Sequence, residues 1–188
     1  MSSNRNLNDL LHWKDMICGD EAAFSLLFKK YYNSLYNFGK LYTTDSTLIS
    51  DSIQDLFMDF WEKRRKLSPD VNVKAYVYGA YRNKLFKKLR HRSVLKHFHE
   101  NTLEIGHDLS HEEVLINNES KNQKILKVHS ILNQLPPKQK EVIYLKFYKG
   151  FSNQQISQVL EINYQSVKNH VYRSSLIFKK ELKDFKLK

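Results

Sequence analysis

Gln165, Lys168, Asn169 and Tyr172 stand at i, i+3, i+4 and i+7, which on a helix is one outward stripe, and Arg173 flanks it. Gln and Asn side chains can bond an adenine edge with two hydrogen bonds, and Lys and Arg can reach guanine or phosphate. A second group of such residues lies upstream, where Tyr76, Tyr78, Tyr81 and Phe86 alternate with Arg82, Lys84, Lys87, Lys88 and Arg90. Some of these aromatics belong to a core, since Tyr81 lies on an apolar stripe, while the cations suit a polyanion. The net charge of +11 on 188 residues, with an isoelectric point near 9.6, agrees with a polyanionic partner.

Short helices must position these residues. Ser152 and Gln155 form a capping-box pair, so a helix starts there, with Ile156, Val159 and Leu160 on its buried face. Glu161, Ile162 and Asn163 make the turn, and Asn163 caps a second helix whose Val167, Val171 and Phe178 face inward. Two helices joined so closely match a helix-turn-helix, which lays its second helix in a major groove. An ordinary helical hairpin with a solvated face has the same pattern.

Upstream, the spacing predicts a short helix over 8–18 and a longer one capped by Asp20, with Phe24, Leu27, Phe28, Tyr31, Leu35, Phe38 and Tyr42 near one stripe. A third follows Thr47, with Ile49, Ile53, Leu56, Phe57 and Phe60 on one face. A fourth runs over about 73–92, with Val77, Tyr81, Leu85 and Leu89 at steps of four. Only 5 Gly and 3 Pro, with no strand-like alternation, argue for an all-α chain.

Charge is partitioned between these segments. The third is acidic through Asp45, Asp51, Asp55, Asp59 and Glu62, and residues 73–97 carry no acid. Residues 98–120 hold Glu100, Glu104, Asp108, Glu112, Glu113 and Glu119 without Lys or Arg, as a flexible linker would. The expected domains are 1–96 and 125–188, joined by the acidic linker 97–124. His97, His99, His107 and His111 make a metal site conceivable there, yet Cys18 is the single cysteine and no carboxylate–histidine cluster is evident, so no metal or cofactor is expected. No segment reaches the roughly 18 apolar residues of a membrane span, and the first residues lack signal-peptide order, which makes the cytoplasm the default.

The phrases "LPPKQKEV", "LKFYKGFSNQQISQVL" and "SVKNHVYRS" resemble, in order and spacing, region 4 of the sigma-70 family of transcription initiation factors. "DEAAFSLLFKKYYNSLYNFGKLYT" resembles region 2.1, "ISDSIQDLFMDFWEKR" region 2.2, and "NVKAYVYGAYRNKLFKKLRHR" regions 2.3 and 2.4. Within that family the chain resembles the small two-domain, extracytoplasmic-function (ECF) type. The resemblance implies core RNA polymerase and promoter DNA, duplex and melted, as partners, with an anti-sigma factor, often membrane-anchored, as a third. It implies no small-molecule substrate and no catalytic residue.

It places polymerase docking on Asp51, Gln54, Asp55 and Trp61, and −10 element recognition on Tyr76, Arg82, Asn83, Lys84, Lys88 and Arg90. Recognition of the −35 element falls to Gln165, Ser166, Lys168, Asn169, Tyr172 and Arg173. Two positions depart from the family pattern: Lys87 stands where Asp is usual, and Glu161 where Gly is usual. The acidic linker could mimic a phosphate chain or be a plain soluble tether. A stand-alone, LuxR-like helix-turn-helix regulator is the alternative, distinguished by the docking segment it would not need; a metal-dependent nuclease is a further rival.

Overall fold

The protein is described here by a computed structural model, which covers residues 2–95, 128 and 130–186, with side chains placed over 7–91, 128, 130 and 131–182. Contacts divide the chain into two compact units, Met1–Asp108 and Leu109–Lys188. Every regular element among the described residues is helical. The acidic linker and its histidines lie outside the described residues.

In the first unit, α1 (Ser2–Cys18), α2 (Glu21–Gly39), α3 (Ser46–Glu62) and α4 (Val73–Leu95) pack around one core. Gly19 adopts a φ of +102°, a conformation open to glycine, and turns the chain from α1 into α2. The Asp20 carboxylate then accepts hydrogen bonds from the amides of Ala22 (2.7 Å) and Ala23 (3.1 Å), capping α2 as its sequence predicts. Asp45 does the same for α3 through Leu48 N–H at 2.8 Å, and Asn72 for α4 through Ala75 N–H at 3.0 Å.

Steps of three and four along α2 bury Ala23, Leu27, Tyr31, Leu35 and Phe38, while Phe24 and Phe28 are half-buried against Phe57. From α3 come Leu48, Ile49, Ile53, Leu56, Phe57 and Phe60. Trp13 of α1 is wholly buried; its indole N–H donates to the Ser68 carbonyl at 3.0 Å, and its ring meets Phe60 edge-on at 5.3 Å. Asp9, also buried, accepts from the Tyr31 hydroxyl at 2.8 Å and is paired with Lys30, so α1 is locked to α2 by polar as well as apolar contacts.

In the second unit a helical turn over 130–134, here α5, precedes α6 (Pro137–Ile143), α7 (Asn153–Leu160) and α8 (Tyr164–Lys186). Pro137 opens α6, where its missing N–H costs nothing. The helix continues as a wider π turn over Tyr144–Tyr148, which leaves Phe147 exposed. Leu132, Leu135 and Ile143 make a small core against Val128, Ile177 and Phe178. Ile156, Val159, Leu160 and Val167 are buried beneath the α7–α8 corner.

Candidate nucleic-acid interface

The α7–α8 corner is built as its residues dictate. Ser152 Oγ accepts from Gln155 N–H at 3.2 Å, and Gln155 Oε1 accepts from Ser152 N–H at 2.8 Å, which completes the capping box. The turn needs a left-handed residue, and Glu161 supplies it at φ 54°, ψ 43°. That is the conformation glycine takes without a steric penalty, and it explains why the family pattern favours glycine there. Asn163 Oδ1 then accepts from Ser166 N–H at 2.6 Å and starts α8.

Gln165, Lys168, Asn169, Tyr172 and Arg173 are all exposed on α8, on the side away from buried Val167 and Ser174. Gln165 Nε2 donates to Asn169 Oδ1 at 3.2 Å, which orients two amide side chains one turn apart. Ser166 is half-buried. His170 sits behind the stripe; burial, helped by Arg173 and Lys138, holds its pKa below the usual imidazole value. Tyr164, exposed at the start of α8, extends the polar face and was not singled out by spacing.

On α4 the aromatic residues separate into two sets. Tyr78 and Tyr81 are fully buried, Tyr78 hydrogen-bonded with Ser34 Oγ at 2.6 Å, so neither can stack on a base. Phe86 is half-buried against Tyr42 at 5.0 Å. Tyr76 is 40% exposed and lies over Phe60 with ring centroids 5.8 Å apart, a supported aromatic face. Asn83, Lys87 and Arg90 are exposed. Arg82 departs from the expectation of a presented cation: it is 9% exposed, with its guanidinium 4.5 Å from the Phe86 ring centroid. The reason is helical geometry, since Arg82 follows Tyr81 and shares the edge of the buried arc of α4.

The outer face of α3 presents Asp51, Gln54 and Asp55, with exposed Met58 on the same stripe. Trp61 is half-buried, packed on Phe24 at 5.2 Å and covered by the Arg64 guanidinium at 4.4 Å. Two acids of this helix are already engaged. Asp55 pairs with Lys88 at 2.6 Å; Asp59 pairs with Lys84 at 2.6 Å and Lys63 at 3.2 Å, and the Lys84 bond is the main reason its pKa lies below the usual carboxylate range.

A cavity of about 320 Å³ opens in the second unit between Leu132, Ile143, Phe147, Val171 and Phe178. Exposed Phe147 at its rim was legible only as one more apolar residue of its segment. Among the described residues no group of three or more His, Cys, Asp or Glu could hold a metal ion, and no helix is long and apolar enough to cross a membrane.

Comparison with known proteins accounts for this arrangement. Residues 27–94 match the family described as Sigma-70 region 2, and residues 125–175 match Sigma-70, region 4. Together these cover more than half of the chain, and the chain belongs to the sigma-70 family. Its type within the family is ECF. It is 20% identical over 164 residues to the ECF RNA polymerase sigma factor SigX of Bacillus subtilis (strain 168), spanning 86% of this chain and 84% of that protein. It is 22% identical over 152 residues to the RNA polymerase sigma factor SigZ of the same organism, spanning 78% and 80%.

Two solved structures share the fold. CnrH, solved in complex with the cytosolic domain of CnrY, aligns at a TM-score of 0.64 and 19% identity, covering 94% of this chain and 98% of that one. The sigma factor RpoE from Bartonella quintana, solved with the anti-sigma factor NepR, aligns at 0.60 and 20% identity, covering 85% and 96%.

Proposed function

We propose that this chain binds core RNA polymerase and directs it to promoters, with each unit reading one element. Residues 1–96 act as the region 2 domain, 97–124 as the acidic linker and 125–188 as the region 4 domain. The outer face of α3 docks on polymerase through Asp51, Gln54 and Asp55, with Trp61 at its edge. On α4, Tyr76 stacks on an unpaired base of the −10 element, Asn83 contacts base or backbone, and Lys84, Lys88 and Arg90 follow phosphates. Arg82 supports this surface through Phe86 rather than by direct contact.

On α8, Gln165 and Asn169 read base edges of the −35 duplex, while Ser166, Lys168, Tyr172 and Arg173 position the helix on its backbone. The chain supplies no catalytic group; the polymerase performs the chemistry. It works in the cytoplasm, and an anti-sigma factor binds it, as the anti-sigma factor NepR binds RpoE in the complex with that structural relative.

The observation that carries this reading is the joining, in one chain, of a region 2 match with a region 4 match whose second helix presents a polar, basic stripe. Run-off transcription with bacterial core polymerase on genomic promoter fragments tests it. New discrete start sites are expected with this protein, and Asp51→Lys should abolish them. Sequence-specific duplex binding without polymerase association or new transcripts would make the chain a conventional helix-turn-helix regulator.

A further inference from the structure

Two lysines assigned to DNA are bound to acids of α3, the helix assigned to the protein partner. Lys88 Nζ lies 2.6 Å from the Asp55 carboxylate. Lys84 Nζ lies 2.6 Å from the Asp59 carboxylate and donates to the backbone carbonyl of Asp55 at 3.0 Å. Lys63 shares Asp59 at 3.2 Å. Asp51, one turn earlier on α3, is exposed and makes no ion pair among the described residues. One helix therefore carries acids in two states, engaged and unengaged.

A lysine held by a carboxylate meets a phosphate only by giving up or sharing that carboxylate. The same competition applies to a cation approaching Asp55 or Asp59 from a protein partner. We propose that the α3–α4 ion pairs couple the two surfaces of the first unit. A basic partner that takes Asp55 and Asp59 releases Lys84 and Lys88 to nucleic acid, and nucleic acid on these lysines releases the carboxylates to the partner. Each ligand then raises the affinity for the other, and linkage makes the two effects equal. The proposal rests on the functional reading above, in which α3 meets polymerase and α4 meets DNA.

Solvent limits the size of the effect. Side chains at these pairs are 21–51% exposed. Pairs of this kind shift an equilibrium by about 1.5- to fivefold each, so two acting together set a window of about two- to twenty-fivefold. Such coupling tunes binding and does not switch it on and off.

Fluorescence anisotropy of the full chain with a fluorescein-labelled single-stranded oligonucleotide of about 20 nucleotides, at low ionic strength, provides the test. Asp55→Asn removes a charge and frees Lys88. Asp51→Asn removes the same charge from an unengaged position and so reports the general electrostatic gain. Asp55→Asn is expected to bind tighter than Asp51→Asn by about 1.5- to fivefold, with the advantage lost in the Asp55→Asn/Lys88→Ala double variant. Equal affinities for the two single variants, or an advantage that survives without Lys88, would overturn the coupling. If Lys88→Ala alone weakens binding while the two Asn variants bind alike, the DNA assignment stands and only the coupling fails. If Lys88→Ala binds as tightly as the unaltered chain, Lys88 does not face DNA, and assignment and coupling fall together.

Discussion

Gly39 closes α2 where Tyr81 of α4 crosses it, and the space there is already full. A Cβ added at Gly39 would overlap the Tyr81 hydroxyl and press on Ile49 Cγ1 and Cγ2 at 3.1 Å each. Ala is the better helix former by about 1 kcal/mol, but overpacking of a core costs about 1–3 kcal/mol and so close an overlap belongs at about 2–3 kcal/mol, so Gly39→Ala should destabilise the first unit by about 1–2 kcal/mol. The Tyr81 hydroxyl is itself buried without a hydrogen-bond partner among the described residues, and desolvation raises its pKa above the ordinary phenol value. An unsatisfied buried hydroxyl costs about 1–3 kcal/mol, so Tyr81→Phe should be neutral or stabilising. Combined with Gly39→Ala, Tyr81→Phe also removes the overlapping oxygen, and should recover about 1 kcal/mol more than it yields alone.

Both tryptophans, Trp13 and Trp61, lie in the first unit, so tryptophan fluorescence during denaturant titration follows that unit by itself. For a unit of this size 1 kcal/mol corresponds to a midpoint shift of about 4–8 °C, which thermal melts resolve easily. Gly39→Ala as stable as the unaltered chain, or Tyr81→Phe with the same effect in both backgrounds, would refute the close-approach account.

Three further outcomes follow from the second unit. Glu161→Gly should stabilise it by about 1 kcal/mol, because glycine relieves the left-handed conformation; slower amide exchange in α7 and α8 is the readout. Lys168→Ala and Arg173→Ala should each weaken binding to duplex promoter DNA and reduce the slope of log affinity against log salt by about 1, measured by anisotropy over a salt series. Because the folded His170 has a depressed pKa, the folded state favours its neutral form; stability is therefore present above the ordinary imidazole pKa and is lost as pH falls through the lower folded value. His170→Gln should flatten the acid side of the second unit's melting profile, followed by circular dichroism.

The elements that the sequence made legible are those whose information is local. Asp20, Ser152 with Gln155, and Asn163 cap the helices they precede, because an N-cap needs only a side-chain oxygen within three residues of an unpaid amide. The stripe Leu27, Tyr31, Leu35 and Phe38 on α2 follows from a helix buried along one side. On α4 the same logic is weaker. This helix packs against α1, α2 and α3, so its buried arc is wide and takes in Tyr78, Tyr81 and the edge residue Arg82 alongside Leu85. Steps of four set Tyr81 with Leu85 on the buried side; aromatic type did not separate buried Tyr78 from exposed Tyr76, and the width of the arc did. The pairing of Asp55 with Lys88 was equally out of reach, since it joins residues on different helices through tertiary packing alone.

That pairing also changes what the net charge of +11 means. Composition alone treats every lysine as available to a polyanion. The fold ties Lys84 and Lys88 to the acids of α3, whereas Lys168 and Arg173 stand exposed on α8 with no acidic partner among the described residues. The functional reading gives these surfaces different targets. A duplex is a rigid, ever-present ligand, and a prepositioned cationic helix suits it, because nothing in the protein has to open before contact. A melted strand must first be created at the cost of unstacking, and a cationic surface engaged with its own acids is less available to competing polyanions until a partner occupies those acids. On the coupling proposed above, this division between guarded and unguarded lysines would make the first unit's hold on a melted strand depend on its protein partner, as the second unit's exposed stripe would not.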